Sequence, residues 1–158
     1  MSTSDQKQPL GPVLFAYDGS ELAAKAIEEA GRQLGPGRDA VVLCVWQPAD
    51  VGFKPVDGHD LNAAQATEVH TAAEAVAAQG AKLAEQAGFR AQGLAVEESP
   101  TWKGICKVSR ERGVGLIVLG AHRRTGIMGH LLGSVTAAVV THSALPVLVI
   151  HPEGARPI

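Results

Sequence analysis

Cysteine is scarce in this chain. Cys44 and Cys106 are the only two, each lies inside a stretch of regular apolar patterning, and they form no CxxC pair. Buried, reduced thiols in a cytoplasmic protein are the expectation. An excess of basic residues is also missing: Lys and Arg number 14 against 16 Asp and Glu, for a formal charge of -2. That balance argues against broad binding to nucleic acid or to an anionic membrane. Nor is there a long uninterrupted apolar run. Residues 125–152 carry no Asp, Glu, Lys or Arg, but Gly126, Gly129, Gly133 and Pro146 break them, and His130 and His142 lie among them. A spanning helix needs about 20 continuous apolar residues, so no membrane segment is predicted. The histidines (His59, His70, His122, His130, His142 and His151) show no HxxxH or similar ligand spacing, and no metal site is expected.

What is present describes one soluble globular domain. The chain has 158 residues, 46% of them hydrophobic and 19% charged. The opening "MSTSDQKQPL" is polar and lacks the apolar core of a signal peptide. Residues 1–11 are read as a flexible tail, 12–152 as the domain, and 153–158 as a second tail.

Five short apolar runs stand out: "VLFAY" (13–17), "AVVLCVW" (40–46), "AQGLAV" (91–96), "GLIVLG" (115–120) and "PVLVI" (146–150). All but the third are continuously apolar, as strands covered on both faces of a parallel sheet should be. The mixed third run suits a strand near an edge. Helical patterns fill the gaps. After Ser20, a candidate N-cap, a stripe of Ala23, Ala26, Ile27, Ala30 and Leu34 ends at Gly35-Pro36. A second stripe joins Val69, Ala73, Val76, Gly80, Leu83 and Ala87 and closes at Gly88. A third helix starts near residues 99–101, places Ile105, Val108 and Arg112 on one side, and stops at Gly113. The fourth begins at Gly133-Ser134, carries Val135, Ala138, Val139 and His142, and stops before Pro146. Residues 48–60 have loop composition. Strand and helix thus alternate four times before a last strand, which predicts an α/β fold: a single-domain, doubly wound, open five-stranded parallel sheet with helices on both faces.

In such a sheet the ligand crevice lies beyond the carboxyl ends of the strands, where the strand order reverses. The first strand runs into "YDGSE" and the fourth into "GAHRRTGIMGHLLGS". If these strands are neighbours, Asp18 faces the glycine loop, and the loop delivers the chain to a helix N-terminus at Ser134 whose dipole favours an anion. From Arg112 to Pro152 there is no acid, but Arg112, Arg123, Arg124 and the histidines His122, His130, His142 and His151 are present. The loop is not a Walker sequence, because "GHLLGS" lacks both the spacing and the lysine. It is not a dinucleotide fingerprint either, which would follow the first strand.

The segments "VLFAYDGSELAAKAIEEA", "AVVLCVWQP" and "GVGLIVLGAHRRTGIMGHLLGSVTAAVVTHSALPVLVI", together running from Pro12 to His151, resemble a universal stress protein. The resemblance implies an adenine-nucleotide alpha hydrolase-like fold, a homodimer and, in one subclass, an ATP site with the pattern Gly-x-x-Gly, nine residues, then Gly-Ser/Thr. Gly120 supplies the first position and Gly133-Ser134 the last pair; the second glycine position holds Arg123. By resemblance, Tyr17 and Asp18 would lie at the nucleotide, Asp18 near the ribose and phosphates or a bridging Mg²⁺. Val45 would meet the adenine edge through its backbone, and Gly120 would let the chain pass close to the ligand. Gly133, Ser134 and Val135 would present amides to the phosphates of ATP, ADP or AMP. His122 and Arg123 lie inside the loop, and a guanidinium can bind phosphate through two parallel hydrogen bonds. Two further departures are Gly115, where the family often has Asp, and "SPTW" (99–102), which replaces a glycine-led turn.

Other readings of these residues are weaker. Asp18 as a phosphoacceptor would need clustered acids and a lysine near the last strand, and "PVLVIHP" has none. Ser20 belongs to no GxSxG elbow and is read as a cap. Trp102 is expected to anchor the start of the third helix and Trp46 the end of the second strand. With no general base or activated nucleophile in view, an efficient enzyme is not predicted; slow ATP hydrolysis or autophosphorylation is the most the chain would do. The strand of Val147, Leu148, Val149 and Ile150 would sit at a sheet edge, and the resemblance implies that it pairs with a second subunit. The leading expectation is a cytoplasmic, nucleotide-binding regulatory stress protein. The alternative is a protein-interaction module of the same fold that binds no nucleotide and acts through its dimer surface.

Overall fold

A computed structural model describes residues 10–47, 63–121 and 133–152. Five strands, β1 (Val13–Ala16), β2 (Asp39–Trp46), β3 (Arg90–Glu97), β4 (Leu116–Gly120) and β5 (Val147–Ile150), alternate with α1 (Glu21–Leu34), α2 (Ala63–Gln86), α3 (Thr101–Glu111) and α4 (Ser134–His142). All strand pairs are parallel and the order is β3-β2-β1-β4-β5. The mixed run is indeed an edge strand, β3, and the last run, β5, forms the other edge.

Strand alternation sorts the core into two faces. Val13, Phe15 and Tyr17 point to the side covered by α1 and α2, where Phe15 meets Phe89 edge-on at 5.2 Å. Leu14 and Ala16 point to the side covered by α3 and α4, with Ile105, Val108 and Val139. Both faces of β1 are therefore dry, which explains its unbroken apolar run.

Helix ends follow local chemistry. Ser20 caps α1, its Oγ accepting the Ala23 N–H at 3.2 Å, and the chain leaves through Gly35 at φ +72°. On α2 the deepest line is Val69, Ala73, Ala77, Ala81 and Ala84, whereas Val76 and Leu83, with Ala87 just past the helix end, flank it. The larger residues marked the helix in the sequence, but the small ones bring it close. A Cβ on Gly80 would stand 2.6 Å from both Tyr17 Cδ1 and Val42 Cγ1, so only glycine fits there. Arg112 is exposed at the C-cap of α3 and does not continue the buried stripe of Ile105 and Val108, because the chain turns out of the helix there into Gly113. Cys44 and Cys106 are both buried, Cys44 in the cluster of Trp46, Val69, Ala73 and Ala77.

Candidate functional site

The sheet opens at its reversal point. β1 and β4 stay in register only as far as Phe15↔Val118. Beyond that, β1 follows β2, with the Tyr17 N–H donating to Leu43 O at 2.9 Å, and β4 follows β5, with the Ala121 N–H donating to Ile150 O at 2.8 Å. The two strands part, and a cleft enclosing about 120 Å³ forms between their carboxyl ends. Apolar side chains of Leu43, Val45, Ile105 and Leu119 give it dry walls, while Asp18, Thr101 and Thr136 bring polar groups.

The elements dictate how each group is held. The Ser20 N–H donates to Asp18 Oδ1 at 2.9 Å, which fixes the carboxylate on the turn into α1 while leaving the residue exposed. Tyr17 borders the cleft, but its ring packs on the opposite face of the sheet against Gly80 of α2. Burial, and next the Asp18 carboxylate, push the Tyr17 hydroxyl above its ordinary range. Val45 is pinned by α3: a Cβ on Gly104 would stand 3.0 Å from both of its methyl carbons. Gly120 ends β4 with its backbone at the cleft, and its carbonyl accepts the Thr136 hydroxyl at 3.3 Å.

α4 begins beside this point. Gly133 is its N-cap and has no side chain with which to cap it; its carbonyl accepts the Ala137 N–H at 2.9 Å. The first turn of α4 carries no acid of its own to offset the positive end of the helix dipole.

The cleft thus brings together Tyr17, Asp18, Val45, Gly120 and Val135 from widely separated parts of the sequence. Gly133 and Ser134 precede Val135 at the start of α4 but do not line the cleft among the described residues, and Ser134 is exposed. His122 and Arg123 lie outside the described residues. Sequence reasoning missed Thr101 and Thr136, which face the cleft from the first turns of α3 and α4. Their place in a first turn at the carboxyl edge of the sheet was readable, but nothing local separates them from Ser134, which is exposed. Among the described residues no three His, Cys, Asp or Glu come together as a metal site, and Asp18 is the one acid that lines the cleft. No helix among them is long and apolar enough to cross a membrane.

Comparison with known proteins agrees with this architecture. The model of the universal stress protein family matches residues 10–151. A universal stress protein of Mycolicibacterium smegmatis is 32% identical over 146 residues, covering 90% of this chain and 46% of the relative. The chain spans about half the length of this and the mycobacterial relatives beside it. The crystal structure of a universal stress protein in complex with cAMP superposes with a TM-score of 0.66 at 22% identity, covering 91% of this chain and 98% of that one. The Archaeoglobus fulgidus universal stress protein in complex with dAMP gives a TM-score of 0.59 at 19% identity, covering 90% and 99%. With the sheet order, the cleft at its reversal point and a family match over nearly the whole chain, this protein belongs to the universal stress protein family.

Proposed function

We propose that the chain binds an adenine nucleotide, ATP or its ADP and AMP forms, in the β1–β4 cleft, and that the bound nucleotide regulates a homodimeric, cytoplasmic protein of the stress response. The observation that carries this reading is the division of the cleft: dry walls of Leu43, Val45, Ile105 and Leu119 suit a flat base, and the start of α4 beside them suits an anion. That structural relatives hold cAMP and dAMP supports the choice of adenine.

In this reading the Val45 backbone meets the adenine edge and Asp18 meets the ribose, or a Mg²⁺ ion bridging the phosphates. The amides of Ser134 and Val135, with the Ser134 hydroxyl, take the phosphates. Arg123 adds a guanidinium, and His122 sits in the same loop. The described lining suits the base of a nucleotide and is spare for a metal, since Asp18 would be its one carboxylate among the described residues. Among the described residues no activated nucleophile lines the cleft, and in this reading the nucleotide serves as a regulatory ligand that at most turns over slowly.

Calorimetry with ATP, ADP and AMP on the purified protein tests the reading. Saturable binding at one nucleotide per chain is expected; no heat and no thermal shift at millimolar nucleotide would sink it. Arg123→Gly is expected to weaken ATP binding. Tighter binding in that variant would make Arg123 an obstruction and not a ligand.

A further inference from the structure

We infer that Thr136 is a positioning residue for the proposed phosphate site: it ties the start of α4 to the end of β4. Four observations lead there. Thr136 is 3% exposed, one of only two buried polar residues among those described. Its partner is unusual. The hydroxyls of Thr71, Ser109 and Thr141 each bond the carbonyl four residues back in their own helix, at 2.9, 2.7 and 2.8 Å. Thr136 stands in the first turn of α4 and donates instead to Gly120 O, 16 residues away.

The acceptor is also informative. Gly120 lies two residues past Val118, the last residue of β4 in register with β1, so its carbonyl sits where the strands have parted. A partly buried carbonyl left without a partner is costly, and the Thr136 hydroxyl supplies the bond. Finally, both residues line the cleft. One hydrogen bond therefore fixes the start of α4 against the end of β4. Without it, the amides of Ser134 and Val135 would lose their alignment toward a phosphate, while the dry wall that takes the base would stay in place.

This inference rests on the nucleotide reading above and adds a residue to it. Thr136→Val and Thr136→Ala remove the hydroxyl, and Thr136→Ser keeps it. Affinities for ATP and for adenosine, which has no phosphates, are measured by calorimetry on each variant, with circular dichroism and thermal denaturation reporting the fold. In the variants without the hydroxyl the ratio of ATP to adenosine affinity is expected to fall about tenfold, the size of one ordinary hydrogen bond. Thr136→Ser is expected to keep the wild-type ratio. Equal losses for both ligands, no loss, or unfolding of both the Val and Ala variants would overturn the positioning role. A wild-type protein that binds neither ATP nor adenosine would overturn the nucleotide reading itself, a distinct result.

Discussion

Gly120 shows how one residue serves two demands. The sequence marks it as the first glycine of a phosphate loop, and its backbone does border the cleft. Yet a Cβ there would point toward α1 and stand 2.8 Å from Leu22 Cγ. Gly120→Ala is therefore expected to destabilise the fold by ~1–3 kcal/mol through overpacking, read from denaturant unfolding, whether or not a ligand is present. Gly80→Ala is expected to cost at least as much, because its new Cβ would strike Tyr17 and Val42 together. Ionisation gives a further test. Burial pushes the thiol of Cys106 upward, and burial with the Asp18 charge pushes the Tyr17 hydroxyl upward. Both groups then lose their protons more readily in the unfolded chain, so the unfolded state binds fewer protons above about pH 9. Stability should hold through neutral pH and fall on the alkaline side. Tyr17→Phe should soften that fall in a pH series of thermal unfolding; an unchanged slope would mean that Tyr17 is not a source of it.

At the scale of elements, the strands were legible because burial on both faces writes a continuous apolar run, as in β1, β2 and β4. Cap chemistry made the ends of α1 legible, and Ser20 holds the Ala23 amide as its position promised. Less legible was which line of α2 goes deepest. Alanine has too little surface to announce itself, so Ala77, Ala81 and Ala84 were hidden beside Val76 and Leu83. The Trp102 side chain was expected to anchor the start of α3, and it does so by stacking on His142 of α4 at 4.1 Å. No spacing rule within one helix could predict that partner. Within the cleft, Asp18 and Gly120 were legible because acid and glycine chemistry at a strand end is local, whereas Tyr17, Val45 and Val135 were named through the family resemblance. Thr101 and Thr136 were missed because their roles depend on where two helices start relative to the parting of two strands. The edge position of β5 leads to a prediction at this scale. All four of its residues are only partly buried in the single chain. If the strand pairs with a second copy, Val149→Glu should shift sedimentation from dimer toward monomer with the fold intact; unchanged sedimentation would place the interface elsewhere.

For the whole molecule, the account joins a parallel sheet, its single reversal point and the cleft that opens there. Family membership fixes the fold, and the proposed nucleotide gives the cleft its use. The mycobacterial relatives run to about twice the length of this chain, so the cleft described here corresponds to one part of those larger proteins. Amide chemical shifts followed by nuclear magnetic resonance during titration with AMP test the central claim most directly, because they report both whether the ligand binds and where. Saturable shifts centred on Asp18, Val45, Gly120, Ser134 and Val135 are predicted. A spectrum that stays unchanged at millimolar AMP, or shifts gathered away from the β1–β4 cleft, would contradict it.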